Sequence, residues 1–136
     1  MVDETDIRIG NLVWYYDLYM VETIFRVEGI LEGNVYSTIL PKSKIALQKV
    51  NPIVLDIDHL MGFGFLPGEK EYGEDENVFS FRYNHKDSIY IRNDGDCFQP
   101  LTAAKNGLLP YGRPLVHVHQ LQNLCYDLTR EEIFLT

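Results

Sequence analysis

Four polar residues near the C-terminal end, His119, Gln122, Asn123 and Tyr126, have the types and the spacing to work together. Three and four positions apart on a helix, they fall within side-chain reach of one another. An imidazole can exchange a proton, two carboxamides can read the edge of a base or a peptide, and a phenol can stack and donate. The expectation is a binding patch for a partner protein or a small molecule. A catalytic version would use His119 as acid and base on a small nucleotide or peptide. The plainer alternative is that these groups only solvate the outer side of an amphipathic helix. A second candidate set is aromatic: Trp14 and Tyr16 stand in the run Trp14-Tyr15-Tyr16 with Tyr19 close behind. Neighbours in a strand alternate faces, so some of these rings point outward, where they anchor partners or stack on planar ligands.

Other chemistry fails on spacing. His117 and His119 on a helix point about 200° apart and cannot close on one ion. Asp94-Gly95-Asp96 lacks the later oxygen ligands of a calcium loop and reads as a turn. Cys97 and Cys125 have no metal-type spacing and read as reduced thiols. No serine sits in a nucleophile elbow and no glycine loop is built to cradle a phosphate. The expected cofactor and metal content is therefore none.

The elements that must hold the candidate residues are of two kinds. Val118, Leu121, Leu124, Cys125 and Leu128 share about a third of a helical turn, which predicts an amphipathic helix over 117–128. Leu115 and Val116 lie off that stripe and are expected to be extended. Residues 7–55 are rich in β-branched and aromatic side chains and predict a small antiparallel β unit, SH3-like, with a hairpin turning at Asp17-Leu18. Strands are expected at Leu12 to Tyr16, Tyr19 to Phe25, Val35 to Leu40 and Lys44 to Val50. Asp56 reads as the cap of a short helix in 56–66, with Phe63 and Phe65 plugging a core. The acidic stretch from Glu69 to Asn77 reads as a solvated loop. Within 78–99, Phe79, Phe81 and Tyr83 on one arm should meet Ile89 and Ile91 on the other, a hairpin or meander. Residues 99–114 carry too many prolines and glycines for a long element, although Leu101 to Lys105 could form one turn. Ile133-Phe134-Leu135 is expected as a strand or an extended docking segment.

Composition bounds the rest. A chain of 136 residues that is 46% hydrophobic has the size and the apolar content of a single folded α+β domain, residues 1–136. Twelve basic against twenty acidic residues give a formal charge of -8, which repels phosphate backbones and anionic lipid surfaces. Nucleic acid and membrane are accordingly not expected as partners. Homo-oligomerisation is compatible with exposed rings that need cover. The acidic start, without a basic flank or an apolar run, predicts a cytoplasmic protein.

Three blocks resemble an uncharacterised small-protein family of gut Bacteroidota and their phages and prophages. They are Asp6-Ile7-Arg8-Ile9-Gly10-Asn11-Leu12-Val13, then Asn51-Pro52-Ile53-Val54-Leu55 leading to Gly62-Phe63-Gly64-Phe65, and Val118-His119-Gln120-Leu121-Gln122-Asn123-Leu124 running to Leu128-Thr129. The chain departs from the family at Val54, where a second proline is usual, and at Ile57-Asp58-His59, where an acidic pair and a tryptophan are usual. It departs again at Arg130, where glycine is usual, and residues 99–113 look like an insertion. The resemblance implies a phage or mobile-element setting, with action in the host cytoplasm, and supplies no activity. The reading is a non-enzymatic binding protein whose target is a host protein or a small molecule, in one version a sequestered host signalling nucleotide. A processing enzyme using His119 and a virion or assembly component are the alternatives.

Overall fold

The computed structural model describes residues 6–37, 44–68, 77–84, 87–105 and 107–135. It is an α+β protein in which eleven strands form three antiparallel sheets among the described residues, with two α-helices. The acidic stretch 69–76 lies outside the described residues, as does the end of the strand expected at 35–40.

The first sheet holds β1 (Leu12–Tyr16) between β2 (Glu22–Arg26) and β6 (Asn51–Pro52). The second is the meander β3 (Gly29–Leu31), β4 (Asn34–Tyr36) and β5 (Lys44–Ala46), followed by a 3-10 turn at Leu47–Lys49. One apolar cluster joins them: Ile7, Val13, Phe25, Val27, Val35, Ile45, Leu47 and Val50 are all buried. The N-terminal unit is thus two three-stranded sheets closed over one core. Its first turn runs longer than the expected Asp17-Leu18 joint. The Asp17 carboxylate accepts from the N–H groups of Tyr19 (2.8 Å) and Val21 (3.0 Å), and Met20 takes a left-handed φ of 61°. That side-chain-built turn holds Tyr19 out of β2, which begins at Glu22.

The short helix α1 (Ile57–Gly62) starts where expected. The Asp56 side chain accepts from the His59 N–H at 2.8 Å, and the Asp56 N–H donates to His59 Nδ1 at 3.3 Å. Phe63 and Phe65 follow it and are buried.

The third sheet has the order β11-β10-β9-β8-β7, made by β7 (Leu66–Pro67), β8 (Val78–Arg82), β9 (Ser88–Asn93), β10 (Phe98–Ala104) and β11 (Gly107–Pro110). Phe79 opposes Ile91 and Phe81 opposes Ile89, so the alternation in both arms reads one face correctly. The breaker-rich stretch after 98 is a hairpin, not a loop with a single helical turn. Proline is tolerated inside β10 because only its carbonyl is needed there: Pro100 C=O accepts the Tyr111 N–H at 2.8 Å, just beyond the end of β11.

The C-terminal helix α2 (Val118–Thr129) lies between the two halves. Val118, Leu121 and Cys125 enter the second apolar cluster with Leu60, Phe65, Phe79, Ile91 and Phe98. The expected extended entry is present, as Leu115 bridges Phe98 and His117 bridges Val54. After α2 the described residues form no strand, and Ile133 drops into the same core. No helix among the described residues is long and apolar enough to cross a membrane.

Candidate functional site

The helix that carries the first candidate set is packed on both sides. His119 is 3% exposed and Gln122 is 1% exposed, so the outward-facing polar patch expected of His119, Gln122, Asn123 and Tyr126 does not form. The reason is tertiary. The arc opposite the apolar stripe meets the N-terminal segment 6–12, and its polar groups satisfy backbone groups there. Gln122 Oε1 accepts from Leu12 N–H at 2.8 Å and its Nε2 donates to Gly10 C=O at 3.1 Å. Asn123 Nδ2 donates to Asp6 C=O at 2.7 Å, while Asn123 Oδ1 accepts from Asn11 Nδ2 (2.8 Å) and Arg8 Nε (3.1 Å). Tyr126 lies under the Arg8 guanidinium, 4.2 Å from ring centroid to carbon. Arg8 also forms a two-pronged ion pair with Glu132. Gln120 Oε1 accepts from the Val116 and His117 N–H groups and closes the start of α2.

His119 is stacked on His117, with centroids 5.7 Å apart and planes 11° apart, and its Nδ1 has no hydrogen-bond partner. Burial pushes its pKa down, the neighbouring His117 pushes the same way, and Asp6 opposes them. An imidazole 3% exposed is out of a substrate's reach, contrary to the acid–base role expected of His119. Among the described residues no group of three or more His, Cys, Asp or Glu stands together as a metal site would require.

The second candidate set is half free. Tyr16 is 50% exposed, and Trp14 is half-buried with its indole N–H on the Pro52 carbonyl at 3.1 Å. The two rings meet edge to face at 5.0 Å on the outer side of β1, beside Ile24 of β2. Tyr15 points the other way and packs edge to face on Phe25.

A third place was not visible in the sequence. A groove of about 370 Å³ opens where β9 and β10 part, lined by Tyr83, Asp87, Ser88, Ile89, Tyr111, Ala103, Leu124 and Leu128 among others. Its geometry follows from ladder alternation. Bonds from Tyr83 N–H to Asp87 C=O and from Asn93 N–H to Asn77 C=O bracket the β8–β9 ladder, so Ile89 and Ile91 bond toward β8. Ser88 and Tyr90 therefore turn their backbone groups toward β10. On β10, the Tyr111 to Pro100 bond puts Thr102 and Ala104 on the β11 side, leaving Leu101 and Ala103 toward β9. Tyr90 and Leu101 form the last pair of the β9–β10 ladder. The next pair, Ser88 with Ala103, is not made, and their backbone groups look into the groove. Leu124 and Leu128 of α2 are the apolar side, which explains why Leu128 stays 40% exposed on the helix's apolar stripe. Asp87 stands at the rim, where no ion pair holds it among the described residues, and it raises the pKa of Tyr83 further after burial has done so.

No family model, no curated protein and no solved structure matches this chain. An opening with unmade ladder bonds, aliphatic side chains, phenols and a carboxylate held only by the Asn84 amide among the described residues can hold an extended, apolar, partly cationic segment. Among its described residues no nucleophile is set against a base.

Proposed function

We propose that this chain acts by binding, without turnover, and that the fork between β9 and β10 grips a short extended segment of a host protein. The observation that carries the reading is the unmade Ser88–Ala103 pair facing into a groove of about 370 Å³. A peptide laid there gains main-chain hydrogen bonds from a strand that lacks its neighbour, as in other cases of strand addition. Leu124 and Leu128 favour an aliphatic or aromatic side chain, and Asp87 favours a lysine or arginine close to it. A phage or mobile-element origin and a cytoplasmic site of action belong to the same proposal and rest on the family resemblance alone. A virion component would show no such preference for a soluble segment.

The test is selection of a random-peptide library on the immobilised full chain. Enriched peptides should pair an aliphatic or aromatic residue with a nearby basic one. Leu128→Asp should abolish their binding, and Ala103→Pro, which removes a donor that only the groove would use, should weaken it. An unenriched library, or undiminished binding by Leu128→Asp, overturns the proposal. Conversion of any compound in a host metabolite extract overturns the non-catalytic part of it.

A further inference from the structure

Strand β2 forms one margin of its sheet, and no strand among the described residues pairs with its outer side. Bonds from Asp17 N–H to Val21 C=O (3.0 Å) and from Val27 N–H to Asn11 C=O (2.8 Å) bracket the β1–β2 ladder. By alternation Thr23 and Phe25 bond inward to β1. Glu22, Ile24 and Arg26 therefore aim their N–H and C=O groups outward.

Those three residues read the same from either direction, apart from the sign of the charge. Ile24 sits at the centre, 57% exposed, with an acid two positions before it and a base two positions after. Sheet margins in monomers are commonly blunted by prolines, bulges or inward charges. β2 has five residues in regular register with β1 and contains no proline. Its two charges discourage most foreign strands, since a random neighbour sets unlike groups against them.

We propose that two copies of this chain associate β2 to β2, antiparallel, about a two-fold axis through Ile24. In that register Ile24 faces Ile24 of the partner subunit, and Glu22 faces Arg26 of the partner subunit. Each of these opposed pairs exchanges two N–H···O=C bonds. The alternation that frees the backbone groups also sets Glu22, Ile24 and Arg26 on one face, with Trp14 and Tyr16 beside them on β1. Pairing brings both copies' exposed Tyr16 and Ile24 side chains onto one continuous six-stranded surface and partly covers them. Arg26 is already steadied for this role, because its Nη1 donates to Gly10 C=O at 3.1 Å and its guanidinium lies 4.7 Å from the Phe134 ring centroid. The pairing uses none of the residues of the β9–β10 groove and stands or falls apart from it.

Sedimentation of the full chain over a concentration series reads the state directly. The expected result is a reversible shift from 15.8 kDa toward twice that mass. Ile24→Pro deletes an outward N–H and no β1 bond, so it should yield only monomer with an unchanged circular dichroism spectrum. Glu22→Arg, at a solvent-exposed position, sets like charges opposite and should weaken association by roughly tenfold or more. Register is read by cross-linking in a Cys97→Ser background. Ile24→Cys should oxidise to a covalent dimer, because opposed residues in a bonded pair stand about 5.5 Å apart at Cα, within disulfide range. Thr23→Cys should not, since the axis holds its two copies apart. A single 15.8 kDa species at every concentration up to about 1 mM overturns the proposal, as does a dimer that survives both Ile24→Pro and Glu22→Arg. Equal cross-linking at Thr23 and Ile24 overturns the register.

Discussion

Gln122 stands in for a neighbouring strand to Leu12. Its carboxamide oxygen accepts the Leu12 N–H at 2.8 Å, while its nitrogen donates to the Gly10 carbonyl at 3.1 Å. One side chain, 1% exposed, thus satisfies two main-chain groups that the β1 ladder leaves over, and couples α2 to the N-terminal unit. Gln122→Leu would keep the approximate volume and strand the Leu12 N–H, while the Gly10 carbonyl keeps the Arg26 Nη1 donor. A buried unpaired polar group costs about 1–3 kcal/mol, so the variant should lose about 2 kcal/mol in urea unfolding. Gln122→Glu is sharper. Its ionised carboxylate still accepts from Leu12 but faces the Gly10 carbonyl oxygen, and only the protonated form can donate there. The folded-state pKa of that glutamate would be raised, so its stabilising form is present at low pH and is lost as pH rises. Relative to the unmodified chain, Gln122→Glu should be least stable near neutrality and recover toward acid; a pH-independent difference would refute this.

His119 predicts a pH dependence of opposite sense. Burial first, then the adjacent His117, hold its pKa below the ordinary histidine value, against a smaller pull from Asp6. The unfolded chain therefore takes up the proton before the folded chain does. Stability is complete above the unfolded value near 6.5 and declines as pH falls through it toward the folded value. The urea midpoint should drop between about pH 7 and pH 5, and His119→Gln should flatten that drop. His117, whose pKa is also lowered by burial, should contribute the remainder.

Much of this architecture can be read in the residues, and the boundary of what can is physical. The hairpin β8–β9 and the stripe Val118, Leu121, Cys125 were legible because one-sided burial writes a period into the sequence. The cap at Asp56 was legible because its partner His59 is only three residues away. The polar arc of α2 was not, because a side chain bonded to backbone more than a hundred positions away looks the same in sequence as one bonded to water. The available signal was the polar pair Arg8 and Asn11 inside an otherwise apolar opening block, which Asn123 gathers up. The start of β10 falls within the meander expected over 78–99, but its run past residue 99 and β11 are not legible, because the number of prolines and glycines does not say which backbone group each position needs. The groove between β9 and β10 depends on where a ladder stops, and no single residue type records that.

Arg130 offers a stabilising change. It ends α2 in the left-handed conformation, with φ 62° and ψ 20°, and its N–H donates to Tyr126 C=O. A non-glycine residue there costs roughly 1–2 kcal/mol, some of which glycine returns as greater freedom in the unfolded chain. Arg130→Gly should therefore raise stability by about 0.5–1 kcal/mol, a rise of a few degrees in melting temperature. Arg130 makes no ion pair among the described residues that would be forfeited. A lower melting temperature would show that its side chain contributes more than its backbone costs.

Gly10 and Glu132 crowd one another where segment 6–12 meets the chain after α2. Gly10 has a φ of 101°, and a Cβ added there would stand 2.7 Å from Glu132 Oε1, the oxygen that engages Arg8. Gly10→Ala thus carries two costs, a backbone forced into a region that L-residues avoid and a displaced carboxylate. The first is of order 1–3 kcal/mol. The second adds the loss of a half-buried, two-pronged ion pair, about 1 kcal/mol at the exposure of these side chains. Removing the carboxylate first should therefore reduce the damage: in a Glu132→Ala background, Gly10→Ala should cost less than in the unmodified chain, by about 1 kcal/mol. Because Arg8 also stacks on Tyr126 and bonds Asn123, the single Glu132→Ala change should loosen but not release segment 6–12. Hydrogen exchange of the Leu12 amide, bonded to Gln122, would report that distinction: modest acceleration in Glu132→Ala and a large one in Gly10→Ala. Strict additivity of the two changes would mean that the carboxylate moves aside freely and that backbone strain alone makes glycine necessary at this position.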